Sequence, residues 1–299
     1  MSGIRRIEVL ANPASGHTGP DAPAAAAAIL AEFGLEANIR VALPHEIFDT
    51  LRQAVDAAPD LIVLIAGDGT AGAAASLCGP DGPLIAPLAG GTMNMLPHAL
   101  YGAKDWKTAL RDTLAEGVVT PVSGGEVDER RFYVAAILGE PALWAEAREA
   151  VRGGDVVLAV RKSQAALKRA FASRLRFQVG PGETVKCEAL SLMCPLVSRG
   201  MPDDERALEA AVINPRGFTE AFRLGAHALM SDLIGDWRAD PSVEVTRCRS
   251  GTAWASGRIP AILDGEPLRL HKRVDFRFVP TAFRAFAPPR EPVLPFASA

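Results

Sequence analysis

Residues 61–72, Leu61-Ile-Val-Leu-Ile-Ala-Gly-Asp-Gly-Thr-Ala-Gly72, decide how the chain folds. Leu61 to Ile65 are apolar without alternation, as in a parallel strand buried on both faces. Gly67, Asp68, Gly69 and Thr70 follow, then small residues from Ala71 to Ser76. The pattern predicts a strand ending in a tight glycine turn that opens a helix. Such a turn sets unpaired backbone N–H groups and the positive helix end beside whatever the glycines admit, usually a phosphate. The stretch also spells G-x-G-x-x-G through Gly67, Gly69 and Gly72, the pattern of a dinucleotide-binding turn. That fingerprint normally opens the first strand–helix unit, whereas here it begins at residue 67. Asp68 inside the cradle would repel a bare pyrophosphate unless a metal lay between them. A carboxylate, glycines and a hydroxyl at a strand end suit a Mg-nucleotide better than NAD. A glycine turn with no ligand is the plain alternative.

On the amino-terminal side, Ile7 to Ala11 reads as a short strand ending in Asn12-Pro-Ala-Ser-Gly16. An alanine-rich helix (22–33), a weaker strand (37–41) and a helix (45–57) lead to the central strand. On the carboxyl side, Leu84 to Pro87 reads as a strand running into Ala89-Gly-Gly-Thr-Met-Asn94 and a helix through Leu100. The alternation βαβαβαβα predicts a parallel sheet covered on both faces to about residue 118. Loops after strands of such a sheet share one edge, where open α/β sheets bind ligands. Three loops, at 12–16, 67–70 and 90–94, can therefore converge on one polyphosphate. No G-x-x-x-x-G-K-[ST] occurs, which excludes a P-loop.

From Thr120 the texture becomes β-rich. Strands are expected at 131–137, 156–160, 175–179, 185–193, 210–213, 243–246 and 274–279, with helical stretches at 142–151, 163–173 and 218–236. Two domains follow, 1–120 and 121–299, with a last strand near 281–287 returning to the first. The tail from Pro288 reads as a loose end.

Composition narrows the classes. At 299 residues the chain can build two cores. Its 32 basic and 35 acidic residues leave a net charge of −3, which implies no attraction to nucleic acid. The four cysteines form no C-x-x-C pair, fitting a reducing compartment without structural zinc. The five histidines (His17, His45, His98, His227, His271) show no ligand spacing, and only His17, directly after a phosphate-loop candidate, stands out. No signal-peptide core and no run near the roughly 20 apolar residues of a membrane span is visible. A soluble, cytoplasmic protein is expected.

Together, Asn12-Pro-Ala-Ser-Gly16, Gly67-Asp-Gly-Thr70, Gly91-Thr-Met-Asn94 and Leu263-Asp-Gly-Glu266 resemble the soluble diacylglycerol kinase family, which includes sphingosine, ceramide and bacterial lipid kinases. The resemblance covers about residues 5 to 287. G-D-G-T alone is shared with NAD kinases, whereas the four-motif set is specific. It implies a phosphofructokinase-like α/β domain, a β-rich carboxyl-terminal domain, and ATP in the cleft between them. By matching position, Asn12, Ser15 and Gly16 would lie near the nucleotide, with Gly67, Asp68, Gly69 and Thr70 around its phosphates. Thr92 and Asn94 would close that site. Asp264 matches the proposed general base, and Glu266 its partner near the phosphates; Asp68 and Glu266 would meet Mg²⁺ through the nucleotide. Taken alone, Asp264-Gly265 is a hairpin turn, and a turn can also present a carboxylate.

The sequence departs from the family pattern in three places. Ala66 replaces the first of two glycines before Asp68. The run Pro87-Leu-Ala-Gly-Gly-Thr-Met-Asn-Met95 is two residues longer before its Gly-Thr and has Met95 for an aspartate. Glu205-Arg-Ala-Leu-Glu209 lacks the D-G pair that helps hold a structural Mg²⁺, so that metal is not carried over.

Residues 161–176 carry six positive charges and no negative one, with Leu167, Phe171 and Leu175 on one helical stripe. This is either a helix with a solvated basic face or a docking surface for an anionic bilayer, using Lys168, Arg169, Phe171 and Arg174. The combined expectation is an ATP- and Mg²⁺-dependent kinase of a lipid's primary hydroxyl, peripheral on the inner membrane face. Diacylglycerol is the first substrate and a ceramide or sphingoid base the second; a homodimer is left open. The alternatives are an NAD-kinase-like phosphotransferase on a soluble substrate and a non-catalytic nucleotide- or lipid-binding regulator.

Overall fold

The computed structural model describes residues 3–139, 175–198, 201, 205–213 and 243–289. It divides into two compact units, Met1–Gly124 with Val279–Leu294, and Gly125–Phe278 with Pro295–Ala299.

The first unit is α/β, as expected. Its strands are β1 (Ile7–Ala11), β2 (Asn38–Val41), β3 (Leu61–Ala66) and β4 (Leu84–Ala89). They pair in parallel in the order β2-β1-β3-β4. The last strand, β16 (Arg273–Ala287), adds to β4 through Ala285 opposite Ile85, again parallel. β1 and β3 are buried at every position, which is why their apolar runs do not alternate. Glu8 in β1 is the exception, and its carboxylate takes Arg40 Nε at 2.6 Å and Asn38 Nδ2 at 2.9 Å from the edge strand β2. A charge held between strands is tolerable only when paired in this way.

Five helices accompany the sheet: α1 (Ala22–Glu32), α2 (Ile47–Asp56), α3 (Asp68–Cys78), α4 (Met95–Tyr101) and α5 (Trp106–Glu116). In α2 the buried residues are Ile47, Leu51 and Ala54, spaced i, i+4, i+7 as one helical face requires. α3 buries Thr70, Ala71, Ala74, Ala75 and Cys78, small side chains that let the helix lie close to the strands.

The second unit is β-rich. A six-stranded antiparallel sheet runs β12-β11-β10-β7-β14-β15. Its members are β7 (Ala135–Gly139), β10 (Ala189–Met193), β11 (Leu208–Ile213), β12 (Val243–Cys248), β14 (Ile259–Leu263) and β15 (Glu266–Leu270). A second layer joins β8 (Leu175–Val179), β9 (Val185–Cys187), β13 (Ser250–Trp254), the first half of β16, β6 (Arg130–Phe132) and the end of β5 (Val118–Val127). One core cluster draws on both layers, with Phe132, Phe177 and Phe276 from the second against Leu138, Leu190, Val212 and Ile259 from the first.

Several expectations change. The single strand expected over 131–137 is two, because Tyr133 and Val134 leave the ladder between β6 and β7. Likewise 185–193 breaks at Glu188 into β9 and β10. The two segments expected at 274–279 and near 281–287 are one strand, β16, which runs through the exposed Pro280. Helix α5 and strand β13 were not foreseen. The strand at 156–160, the helices at 142–151, 163–173 and 218–236, and Lys168, Arg169, Phe171 and Arg174 lie outside the described residues.

Candidate active site

The three glycine-bearing loops leave β1, β3 and β4 at the carboxyl ends of parallel neighbours, so the fold brings them to one edge. They touch. A Cβ added to Gly91 would stand 2.6 Å from Gly67 Cα, and one on Gly16 would stand 3.2 Å from Thr92 Oγ1. A Cβ on Gly67 would lie 3.7 Å from Ser15 Oγ. Glycine at 91 is required by this approach of two backbones, since no backbone atom can step aside.

Further bonds sew the loops together. His17 N–H donates to Gly90 O at 2.9 Å, and Thr18 Oγ1 donates to the same oxygen at 3.2 Å. His17 Nδ1 lies 2.5 Å from Gly91 O; a carbonyl only accepts, so this nitrogen carries the proton. His17 therefore ties the first loop to the third. Asn12 Oδ1 accepts from Ala14 N–H at 3.1 Å, closing the first turn of its loop. Asn94 has φ +51, and its amide clamps Gly91, accepting from the N–H at 2.7 Å and donating to the oxygen at 2.8 Å. Its side chain shapes the third loop rather than reaching toward a ligand.

Helix α3 begins in this cradle. Its N-cap, Gly67, makes no side-chain cap bond, and the first N–H groups of a helix have no partner within it. Asp68 Oδ1 accepts from Leu96 N–H of α4 at 3.1 Å. Its other oxygen has no hydrogen-bond partner among the described residues. Thr70 is buried. The arrangement offers backbone donors and a helix end to an anion, with one carboxylate oxygen open toward a cation.

In the second unit, Asp264 and Gly265 form the two-residue turn between β14 and β15, with Leu263 opposite Glu266. Both turn residues have positive φ, +46 and +91, which the strand twist of such hairpins demands. Asp264 is half-buried and Glu266 exposed. The Asp264 carboxylate accepts from three successive backbone groups: Tyr133 N at 2.7 Å on Oδ2, and Val134 N at 2.9 Å and Ala135 N at 3.0 Å on Oδ1. Glu266 has no hydrogen bond or ion pair among the described residues.

Other chemistries find little support. All four cysteines are free and buried, and burial pushes the thiols of Cys78, Cys187 and Cys248 up to about 12. Among the described residues no three His, Cys, Asp or Glu side chains group to hold a metal. Glu205 pairs with Arg247 at 2.9 Å, and the buried Glu209 accepts from Ser198 Oγ. No helix among the described residues is long and apolar enough to cross a membrane.

Residues 6–127 match the family model of the diacylglycerol kinase catalytic domain. No curated protein matches the chain. Among solved structures, a diacylglycerol kinase from Bacillus anthracis is 14% identical, with a TM-score of 0.69 over 97% of this chain and 99% of that one. An NAD kinase from Archaeoglobus fulgidus in complex with ATP is 13% identical, with a TM-score of 0.52 over 96% of this chain and 94% of its own. These likenesses carry the two-part fold, and the family match carries the loops that build the cradle. Residues 6–127 are thus similar to the diacylglycerol kinase catalytic domain, and the whole chain shares the fold of the solved diacylglycerol kinase.

Proposed function

We propose that the protein is an ATP-dependent kinase that phosphorylates the primary hydroxyl of a membrane lipid. Diacylglycerol is the first candidate and a ceramide or sphingoid base the second. The observation that carries this reading is the contact of the loops around Ser15, Gly67 and Gly91 at the uncapped start of α3. The open N–H groups at the start of a helix suit a polyphosphate, and phosphoryl transfer asks mainly for positioning and charge neutralisation.

In this scheme Ser15, Gly16, Gly67, Gly69, Thr70 and Thr92 cradle the phosphates, while Asn12, His17 and Asn94 hold the loops in shape. The residues of the first unit fit a Mg²⁺ ion that arrives with the nucleotide, because Asp68 keeps an open oxygen beside the cradle; Glu266 would be its second carboxylate by the family resemblance. Such an ion commonly uses one or two carboxylates plus phosphate oxygens and would neutralise charge on them. The lipid hydroxyl oxygen forms a bond to the γ-phosphorus as the bond to the bridging oxygen breaks. ADP leaves with that oxygen, and the hydroxyl proton passes to a general base, the role the family resemblance gives Asp264. Because the acceptor sits in a bilayer, the enzyme works at a membrane surface. Residues 161–176 are the proposed docking segment for anionic lipid.

Purified protein with ATP and Mg²⁺ is offered vesicles containing diacylglycerol, ceramide or sphingosine, and separately NAD. Transfer of the γ-phosphoryl group to a vesicle lipid is expected. Transfer to NAD alone moves the reading to a soluble-substrate kinase, and nucleotide binding without turnover moves it to a regulator.

A further inference from the structure

We propose that a cavity at the amino-terminal edge of the parallel sheet binds an amphiphilic oxyanion, a carboxylate or phosphate monoester on an apolar chain, with Arg284 holding the head. The kinase reading plays no part in this.

The cavity measures about 730 Å³, within the roughly 300–1,000 Å³ of ordinary ligand pockets. All of its walls belong to the first unit. Ile4 precedes β1, Asp60 precedes β3 and Pro83 precedes β4, which sets the cavity at the opposite edge from the three glycine loops. Its occupant is therefore not the molecule held in the cradle. The walls are preformed: a Cβ on Gly117 would meet the Phe286 ring at 2.6 Å, and Tyr101 Oη donates to Phe286 O at 3.1 Å.

Arg284 is the group that the fold leaves unexplained. It is half-buried on β16 and lines the cavity. Nη2 donates to Gly82 O at 2.6 Å and to Asp81 O at 3.5 Å. Nε is buried without an acceptor, and Nη1 makes no hydrogen bond among the described residues. No carboxylate among them pairs with this guanidinium. A half-buried charge answered only by two carbonyls is costly, and a buried donor left unpaired marks a missing partner. Two acids line the same cavity, but neither serves Arg284. Asp60 Oδ2 accepts from Arg5 and Arg6 N–H at 2.8 Å each, and these bonds hold its carboxyl below the ordinary carboxylate range. Asp81 is exposed and keeps its charge in water. The planar fork of guanidinium donors matches a carboxylate or a phosphate.

The rest of the wall is largely apolar. Pro59, Pro83, Leu84 and Phe286 line it, with Val118 and Val119 at 45% and 52% exposure. An apolar chain attached to the head would take this surface out of water.

Octyl phosphate and octanoate, each below its micelle concentration, are titrated calorimetrically into the full chain. Wild type should bind at least one of them. Binding should weaken about tenfold or more in Arg284→Gln. The same loss is expected in Val119→Glu, which places a carboxylate in the wall and leaves the Arg284 bonds alone. Val245→Glu, at an exposed valine of β12 in the second unit, should bind as wild type does. Octanol, which has the chain without the charge, should bind about tenfold or more weakly than the better anion. The tighter of the two anions names the head group, and either one supports the site. Failure of wild type to bind both overturns the proposal. So does equal affinity in wild type and Val119→Glu, or octanol binding as tightly as the anions. If Arg284→Gln cannot be recovered folded, Val119→Glu decides.

Discussion

Helices α3 and α5 are of equal length, 11 residues each, and both start from an extended N-cap residue. Their first turns are treated oppositely. α5 has Asp105 as N-cap, whose carboxylate accepts from Lys107 N at 3.0 Å, Thr108 N at 3.1 Å and Thr108 Oγ1 at 2.7 Å. α3 has Gly67 there and no cap bond, and the one acid in its first turn, Asp68, reaches across to α4 instead. A helix start filled by its own side chain is a structural end. One left open beside two glycine loops is where an outside anion belongs.

The contrast can be broken at its strongest point by Gly91→Ala. The added Cβ would meet the Gly67 backbone at 2.6 Å, so the loops must part. Nucleotide affinity, measured by calorimetry, is expected to fall about 100-fold or more, as misplacement of this size does. Gly257→Ala is the control, since nothing lies within 4 Å of that Cβ, and it should bind normally. Normal binding by Gly91→Ala would mean that the cradle does not form the nucleotide site.

A smaller change sharpens the role of the acid. Asp68→Asn keeps an oxygen for Leu96 N–H, so melting should stay within about 2 °C of wild type. The loss of charge should appear as a fall in kcat/KM for Mg-ATP on the order of 100-fold. A variant that melts lower and turns over normally would reduce Asp68 to a cap for α4.

The smallest effect is expected at α5. Asp105→Ala should cost about 1 kcal/mol, as lost N-caps do, with no change in nucleotide affinity. The Thr108 hydroxyl and N–H bonds hold the Asp105 carboxyl below its ordinary 3.8. A depressed acid stabilises the fold above its unfolded pKa and loses that contribution as pH falls through the folded one. The melting gap between wild type and Asp105→Ala should therefore be full at neutral pH and close below about pH 4. A gap that persists in acid would point to packing rather than the cap.

What the sequence made legible were the features written locally. The uninterrupted apolar runs of β1 and β3, and glycines directly after strands, place three loops on one sheet edge without any knowledge of contacts. The β6–β7 break was hidden for the opposite reason. Tyr133 and Val134 belong to an apolar, strand-forming run, and what turns their N–H groups aside is Asp264, 130 residues away from Val134. The same distance hid the three backbone bonds that Asp264 accepts, because the sequence shows only a hairpin turn able to present a carboxylate. By the resemblance Asn94 would close the nucleotide site, and nothing local shows that its amide is spent on Gly91. The strands read separately at 274–279 and near 281–287 are one, because β16 passes through Pro280 where the chain is exposed and needs no N–H from it. The α5 signal was local and available: Asp105 three residues before Thr108, followed by buried Ala109, Leu110, Thr113 and Leu114.

β16 carries a consequence for how the protein comes into being. Its last residues, Val279 onward, belong to the unit that otherwise ends at Gly124, so the strand beside β4 is synthesised only after residues 125–278. During translation the first unit waits with β4 as an open edge while more than 150 residues emerge. At ribosomal speeds of about 5–20 residues per second that interval is roughly 10–30 s. An unpaired parallel edge over such a time invites association with other chains. Nascent chains released before residue 279 should therefore aggregate, while those released past residue 287 should not.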